Sequence, residues 1–176
     1  MSTIVTASPI ARTRRAAAGV RLLRHAIALF SHVPHGAIAL LARFSIAMTF
    51  WMSGQTKIEG LVLDPISRTV ELGVPRVSDS AVELFRSEYA LPLLSPELAA
   101  PMAAAAEHVF PLLLLVGLAT RLSAFALLIM TLVIQVFVYP SAFATHGLWA
   151  ALMLYLMAKG PGAVSLDHLI ARRDRD

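Results

Sequence analysis

The sequence contains no cysteine among its 176 residues. Disulfide bonds, thiolate metal ligands and thiol catalysis are therefore excluded for this chain. Charged residues are also scarce, at 15%, whereas hydrophobic residues make up 57% and the mean hydropathy is +0.71. Such a composition is too apolar for an ordinary soluble domain and predicts one small helical membrane protein.

Acidic residues are missing from the whole segment before Glu59, in which the arginines are Arg12, Arg14, Arg15, Arg21, Arg24 and Arg43. The early arginines resemble either an organellar presequence or a cytoplasmic flank that follows the positive-inside rule. We favour the flank, because basic residues recur at the other predicted cytoplasmic ends. The pI of about 10.1 comes from basic residues at both termini, so it does not indicate nucleic-acid binding.

An amphipathic helix is predicted within the basic N-terminal segment, residues 1–36. One side of this helix is apolar and contains Leu22, Leu23, Ala26, Ile27 and Phe30. The other side is basic and contains Arg21, Arg24 and His25. This pattern is typical of a helix that lies on an anionic membrane surface.

Four apolar runs follow, each close to the roughly 20 residues that a bilayer requires. They lie at about 37–55, 96–117, 122–139 and 142–158. Residues 161–176 form a basic tail, so the positive-inside rule places both termini in the cytoplasm. The predicted fold is an all-α, four-helix integral membrane bundle over residues 37–160, in the cytoplasmic (inner) membrane of a bacterium.

The loop at residues 59–98 is the only long polar segment between the spans, with seven acidic residues and three arginines. We expect it to be extracytoplasmic. Short β-prone pieces between residues 61 and 77 predict a small hairpin. The capping box Ser80-Ala-Val-Glu83 predicts a short helix at residues 81–89, and Ser95-Pro96-Glu97 predicts the start of the second span.

Two ionisable residues, Glu107 and His108, lie inside the second predicted span. A carboxylate in hydrocarbon costs a few kcal/mol even on mild insertion scales, so it needs a partner, water or a proton. Lys57 is the natural counter-charge, and Arg43 is the competitor from the other side. The sequence leaves a structural ion pair and a site for a proton, a quinone or a metal as open alternatives.

Further polar residues are predicted at a similar level, in the outer half of the bundle. Counting about 1.5 Å per residue places Gln55 and Lys57 nearest the surface, with Glu107 and His108 deepest. The residues predicted to form one polar chamber with that pair are Gln55, Lys57, Gln135, Tyr139 and His146. Taken singly, such residues often serve only as helix–helix hydrogen bonds.

A set of motifs is spread over about residues 37–160, namely Arg43, Gly54-Gln-Thr-Lys57, Glu107, Leu115-Val-Gly-Leu-Ala-Thr-Arg121 and Tyr139-Pro140. Together these motifs resemble the DoxX family of small four-helix membrane proteins. The resemblance implies a membrane subunit like those linked to thiosulfate:quinone oxidoreductase, terminal quinol oxidase or redox-stress complexes. The family's recurring polar positions would be Arg43, Gly54, Lys57, Glu107 and Arg121, of which Arg43 and Arg121 are expected to be structural charges. The loop at residues 75–89 also resembles a subgroup found beside maturation proteins of small metal-binding peptides.

Three functions follow from this reading. The first is a redox-associated, quinone-linked subunit in which Glu107 or His108 carries a proton and Gln135 or Tyr139 binds the quinone. No haem-ligand pair, flavin motif or iron–sulfur motif is visible, and no self-sufficient catalytic motif, so electrons would need a partner or the quinone itself. The chain is therefore expected to hold no covalently bound cofactor.

The alternatives are a non-enzymatic scaffold or assembly factor, whose extracytoplasmic loop recruits a protein partner, and a copper-handling membrane protein. The metal hypothesis would use His108 and His146, together with the pairs Met48/Met52 and Met153/Met157. Imidazole and thioether ligands suit copper, but methionine is also common filler in apolar helices. A metal is therefore the least favoured ligand.

Overall fold

The computed structural model describes residues 20–173 apart from 22 and 26. By its internal contacts, the chain divides into two compact units, Met1–His35 and Gly36–Asp176. In the first unit, residues 20–21, 23–25 and 27–31 are helical and exposed, as the amphipathic pattern predicts. Leu22 and Ala26, which contributed to that prediction, lie outside the described residues, as do Arg12, Arg14 and Arg15 of the predicted basic flank.

The second unit contains four long helices, a two-stranded sheet and two short helices. In chain order they are α1 His35–Gln55, β1 Ile58–Asp64, β2 Thr69–Val77, α2 Asp79–Leu84 with a π-helical turn Phe85–Tyr89, α3 Pro96–Val116, α4 Thr120–Val133 with a π-helical turn Ile134–Val138, a 3-10 turn Pro140–Ala142, α5 Phe143–Lys159 and α6 Leu166–Arg173. Four helical stretches are long and apolar enough to cross a membrane, namely His35–Gln55, Pro96–Val116, Thr120–Val138 and Pro140–Lys159. The predicted four-helix membrane fold is confirmed.

The core of the bundle combines small residues of α1 with larger residues of the other helices. Its buried members include Ala39, Ala42, Ile46, Ala47, Leu114, Leu127, Met153 and Leu156. Alanines on α1 let neighbouring helices approach closely, which favours van der Waals packing in a membrane. Large apolar side chains on the outside, such as Phe44 and Leu41, are the surface that a bilayer would cover.

The predicted hairpin is present and is attached to the end of α1. β1 and β2 are antiparallel, with Leu61 opposite Leu72 and Asp64 opposite Thr69. At the turn, the hydroxyl of Ser67 and the backbone amides of residues 66 and 67 donate to the Asp64 carboxylate, and they lower its pKa. Trp51 Nε1 donates to the carbonyl oxygen of Leu63 at 2.9 Å, so α1 holds the hairpin directly.

The capping box predicted at Ser80 is wrong, because the short helix begins two residues earlier. Ser78 has extended backbone angles, and its hydroxyl accepts a hydrogen bond from the Ala81 amide at 3.2 Å. Ser80 already lies in the first turn, and its hydroxyl hydrogen-bonds that of Ser78 at 3.0 Å. A serine with extended backbone can cap a helix, whereas one with helical angles cannot.

The two spans that carry the polar motif are staggered along the bundle. Gln55 is the last residue of α1, yet its side chain reaches His108, which lies twelve residues after the start of α3. At about 1.5 Å per residue, α3 extends about 18 Å beyond that level. The extension packs Ala99 and Ala100 against Phe85. The predicted depth order was therefore wrong, because Gln55 and Lys57 lie level with His108 and Glu107.

At the opposite end of the bundle, which we call the tail end, buried Arg43 binds backbone carbonyls and does not compete for Glu107. Its Nη1 donates to the oxygens of Pro161 at 3.0 Å and Val164 at 2.8 Å, and its Nη2 donates to Leu115 O at 3.4 Å. Gly117 ends α3 with φ of +69°, and an added Cβ would lie 2.5 Å from Arg43 Nη1. The prediction of a structural charge therefore fits this position.

Within the described part of the basic tail, α6 supplies a cap for α4. The Asp167 carboxylate accepts hydrogen bonds from the amides of Ala119 at 2.8 Å and Thr120 at 2.9 Å. At the start of α4 these amides have no hydrogen-bond acceptor within the helix itself, so the carboxylate satisfies them. A negative charge is also favourable at the N-terminus of a helix. The exposed Arg121 extends its guanidinium over Gly160.

We predict that Asp167→Ala lowers the free energy of unfolding by about 0.5–2 kcal/mol, because α4 loses its cap. It should also make the tail more accessible to trypsin at Arg172 and Arg173. Thermal unfolding in detergent and limited proteolysis would measure both effects. Glu71→Ala, which removes an exposed carboxylate of β2, is the control. Equal stability of the two variants would show that Asp167 does not cap α4.

Candidate functional site

A buried ion pair joins the end of α1 to the middle of α3. Lys57 Nζ lies 2.7 Å from Glu107 Oε2, and each side chain is only 3% exposed. The Ser53 hydroxyl donates to Glu107 Oε1 at 3.2 Å. Lys57 Nζ also donates to the backbone oxygen of Ser53 at 3.1 Å and to its hydroxyl at 3.0 Å. Lys57 is therefore the counter-charge of Glu107, as the sequence predicts.

Gly54 allows the two helices to come this close. An added Cβ at residue 54 would lie 2.8 Å from His108 Cε1, 2.9 Å from His108 Nδ1 and 3.0 Å from Glu107 Cβ. Since α1 and α3 touch at this residue, Lys57 can reach the carboxylate from the turn after α1. The sequence Gly54-Gln-Thr-Lys57 thus combines a contact point with a charge one turn away.

His108 belongs to a second hydrogen-bonded group beside the ion pair. Its Nδ1 lies 2.6 Å from Ala104 O, and its Nε2 lies 2.8 Å from Gln55 Nε2. Gln55 Oε1 in turn accepts from the Leu63 amide at 2.6 Å. Because a carbonyl oxygen can only accept, Nδ1 donates and Nε2 accepts, which assigns a neutral imidazole. His108 thereby connects α3 to the hairpin.

The other predicted chamber residues are hydrogen-bonded elsewhere. His146 Nδ1 donates to Gln135 Oε1 at 2.7 Å, and Gln135 Nε2 donates to Pro140 O at 2.7 Å. The Tyr139 hydroxyl donates to the Glu88 carboxylate, which raises the pKa of that hydroxyl. Within the described part of the chain, the predicted chamber residues therefore form several separate hydrogen-bonded groups.

A cavity of about 330 Å³ lies next to Glu107, between α3, α4 and the segment that follows α2. Apolar side chains line most of it, including Phe85, Ala103, Ala106 and Met130, and Tyr89 contributes a phenol ring. Glu107 is the only predicted site residue among the described residues that line it. The carboxylate that reaches this cavity is the one held by Lys57 Nζ at 2.7 Å.

Sequence reasoning missed two members of this site. Ser53 could have been found, because it lies four residues before Lys57, about one helical turn back along the chain. Tyr89 could not have been found in this way, because no sequence spacing relates it to Glu107. The two residues meet at the same cavity only through the path of the segment after α2. Burial raises the pKa of the Tyr89 hydroxyl.

The two histidines proposed as metal ligands do not share a hydrogen-bonded group, since His108 binds Gln55 and His146 binds Gln135. Among the described residues, no set of three His, Cys, Asp or Glu side chains could hold a metal ion.

We predict that Gly54→Ala lowers the free energy of unfolding by about 1–3 kcal/mol, because the methyl group forces α1 and α3 apart. Gly147→Ala in α5 is the matched control. Its Cβ would meet Phe143 at 3.9 Å, an ordinary contact, so it should be neutral or slightly stabilising. Unfolding in mild detergent measures both. A Gly54→Ala protein as stable as the control would contradict the close approach.

Comparison with known proteins identifies the family to which the chain belongs. A search of curated proteins and a search of solved structures each found no match. The DoxX family model matches residues 38–140, more than half of the chain, and this stretch includes Arg43, Gly54, Lys57 and Glu107. The chain is therefore a membrane protein of the DoxX family.

Proposed function

We propose that this protein is the membrane subunit of a quinone-linked redox complex, and that its quinone site is the cavity beside Glu107. The observation that carries the proposal is a buried carboxylate at the wall of an otherwise apolar cavity. Ligand pockets usually combine an apolar lining with a few polar groups that orient the ligand. Ionisable residues inside a membrane are generally functional.

The residues present fit a quinone. Ala103, Ala106 and Met130 offer apolar contacts to a ring and its tail, and Glu107 places a polar side chain at the same cavity. Tyr89 lines the same cavity, and burial raises the pKa of its hydroxyl, so it stays a donor at neutral pH. A quinone supplies two-electron, two-proton chemistry when bound.

Within the chain, Glu107 would hold or release a proton at Oε2, and Lys57 would keep the carboxylate in place. Tyr89 takes the ligand-binding role first expected of Gln135 or Tyr139, because neither of those residues lines the cavity among the described residues. His108 faces a different cavity, beside the hairpin, so Glu107 is the better proton carrier. Electrons would pass to a protein partner, because the sequence has no haem, flavin or iron–sulfur motif.

The topology proposed for this function keeps the predicted orientation, with both termini in the cytoplasm of a bacterial inner membrane. The start of α1 and the end of α5 lie together at the tail end, where Arg43 binds Pro161. Basic residues at this end, including Arg172 and Arg173, favour the cytoplasm. The cavity beside Glu107 would then open toward the extracytoplasmic half.

A scaffold role is the second candidate, and the hairpin favours it. Ile66, Leu72 and Val74 are 75%, 81% and 86% exposed on a segment outside the spans. Apolar side chains grouped on a surface often mark a protein interface. If this role is correct, deleting residues 62–95 should release any protein that co-purifies with the chain, whereas unchanged co-purification would contradict it.

We predict that the wild-type protein, purified in mild detergent from cells that contain quinone, retains about one quinone per chain. Ala106→Phe fills the cavity and should remove the quinone. Glu107→Gln should weaken binding by about 10- to 100-fold, because a charge-assisted hydrogen bond is lost. Quinone is measured by extraction and chromatography.

Ala151→Phe, at an exposed position of α5, is the matched control and should keep its quinone. The same quinone content in the wild type, Ala106→Phe and Ala151→Phe would contradict the proposed site. Absence of quinone from all four proteins would contradict the quinone-linked function and favour the scaffold.

A further inference from the structure

A second cavity lies between the hairpin and α3. The residues of α3 that line it are next to those that line the cavity beside Glu107. The volume of this second cavity is about 320 Å³. The hairpin contributes Leu61, Pro75 and Val77, and α3 contributes Ala105, Val109 and Leu112. We call this the hairpin groove. It uses residues 104, 105 and 108 of α3, whereas the cavity beside Glu107 uses 103, 106 and 107.

The floor of the hairpin groove continues onto the outer surface of a membrane-spanning helix. Val109 is 52% exposed and Leu112 is 49% exposed, and both belong to α3. On such a helix, exposed apolar side chains face hydrocarbon chains. The polar atoms of the groove wall are already engaged, because Trp51 Nε1 binds Leu63 and both nitrogens of His108 have partners. The groove therefore fits an acyl chain.

The rim of the groove carries one charge of each sign. Arg76 lines the groove, and its Nη2 lies 3.2 Å from Glu59 Oε2. The two side chains are 78% and 52% exposed. An exposed ion pair of this kind contributes about 1 kcal/mol at most, so a ligand with matching charges can compete with it. A phosphate fits Arg76, and an ammonium group fits Glu59.

We propose that the hairpin groove binds one zwitterionic phospholipid. An acyl chain lies along Ala105 and Val109, the phosphate binds Arg76, and the ammonium group binds Glu59. A phospholipid with a net negative charge is disfavoured, because Glu59 would repel it after Arg76 has been neutralised. This inference does not depend on the quinone proposal, since the two cavities use different residues.

The test is native mass spectrometry of the full chain, released from nanodiscs that contain equal amounts of phosphatidylethanolamine and phosphatidylglycerol. The wild type should carry bound phosphatidylethanolamine in about fivefold excess over phosphatidylglycerol. Glu59→Gln should abolish this excess, because the ammonium group loses its partner and the repulsion of the anionic lipid is removed. Arg76→Gln should reduce binding of both lipids.

Two further variants complete the test. Ala105→Phe fills the groove and should remove the bound lipid, while the quinone content stays at the wild-type value. Arg68→Gln removes an exposed arginine at the hairpin turn and is the matched control, so its lipid binding should not change. Equal binding of both lipids to the wild type, or the same loss in Arg68→Gln as in Arg76→Gln, would overturn the proposal. So would full retention of lipid by Ala105→Phe.

Discussion

The structure depends on the ion pair between Lys57 and Glu107, since both charges are buried where water cannot solvate them. A buried charge without its partner costs several kcal/mol, so each member requires the other in the folded state. The pair fixes the position of α3 along α1 and, through Lys57, the point at which the chain leaves α1. Ser53 supplies further hydrogen bonds to both partners. Gly54 provides the close approach that makes the pair possible.

The two cavities lie on different sides of α3. The first turns of α3 extend beyond α1 and pack against Phe85, whereas the hairpin lies beside residues 101–112 of α3. An apolar cavity remains on each side. One cavity includes Glu107, whereas the other has Arg76 and Glu59 at its rim. The proposed quinone site and lipid site therefore lie on two sides of the same helix.

The sequence predicts the spans, the hairpin and the partner of Glu107, because apolar runs and an isolated carboxylate are local signals. It does not predict the stagger. Counting depth from the ends of the spans assumes that neighbouring helices end at one level, and α3 does not. The roles of Tyr89 and Asp167 were missed for a related reason, since each reaches its partner through the path of a loop. Among the residues predicted for the polar chamber, Gln135 and His146 hydrogen-bond each other.

The most direct test of this account is a double-mutant cycle on the buried pair. The free energy of unfolding in mild detergent would be compared for the wild type, Lys57→Met, Glu107→Leu and the double variant. Each single change should cost about 3–5 kcal/mol, and the double variant should cost much less than the sum, because no unpaired charge remains. The exposed pair Arg76 and Glu59 should show a coupling below about 1 kcal/mol. Additive effects at Lys57 and Glu107 would contradict the claim that the pair organises the bundle.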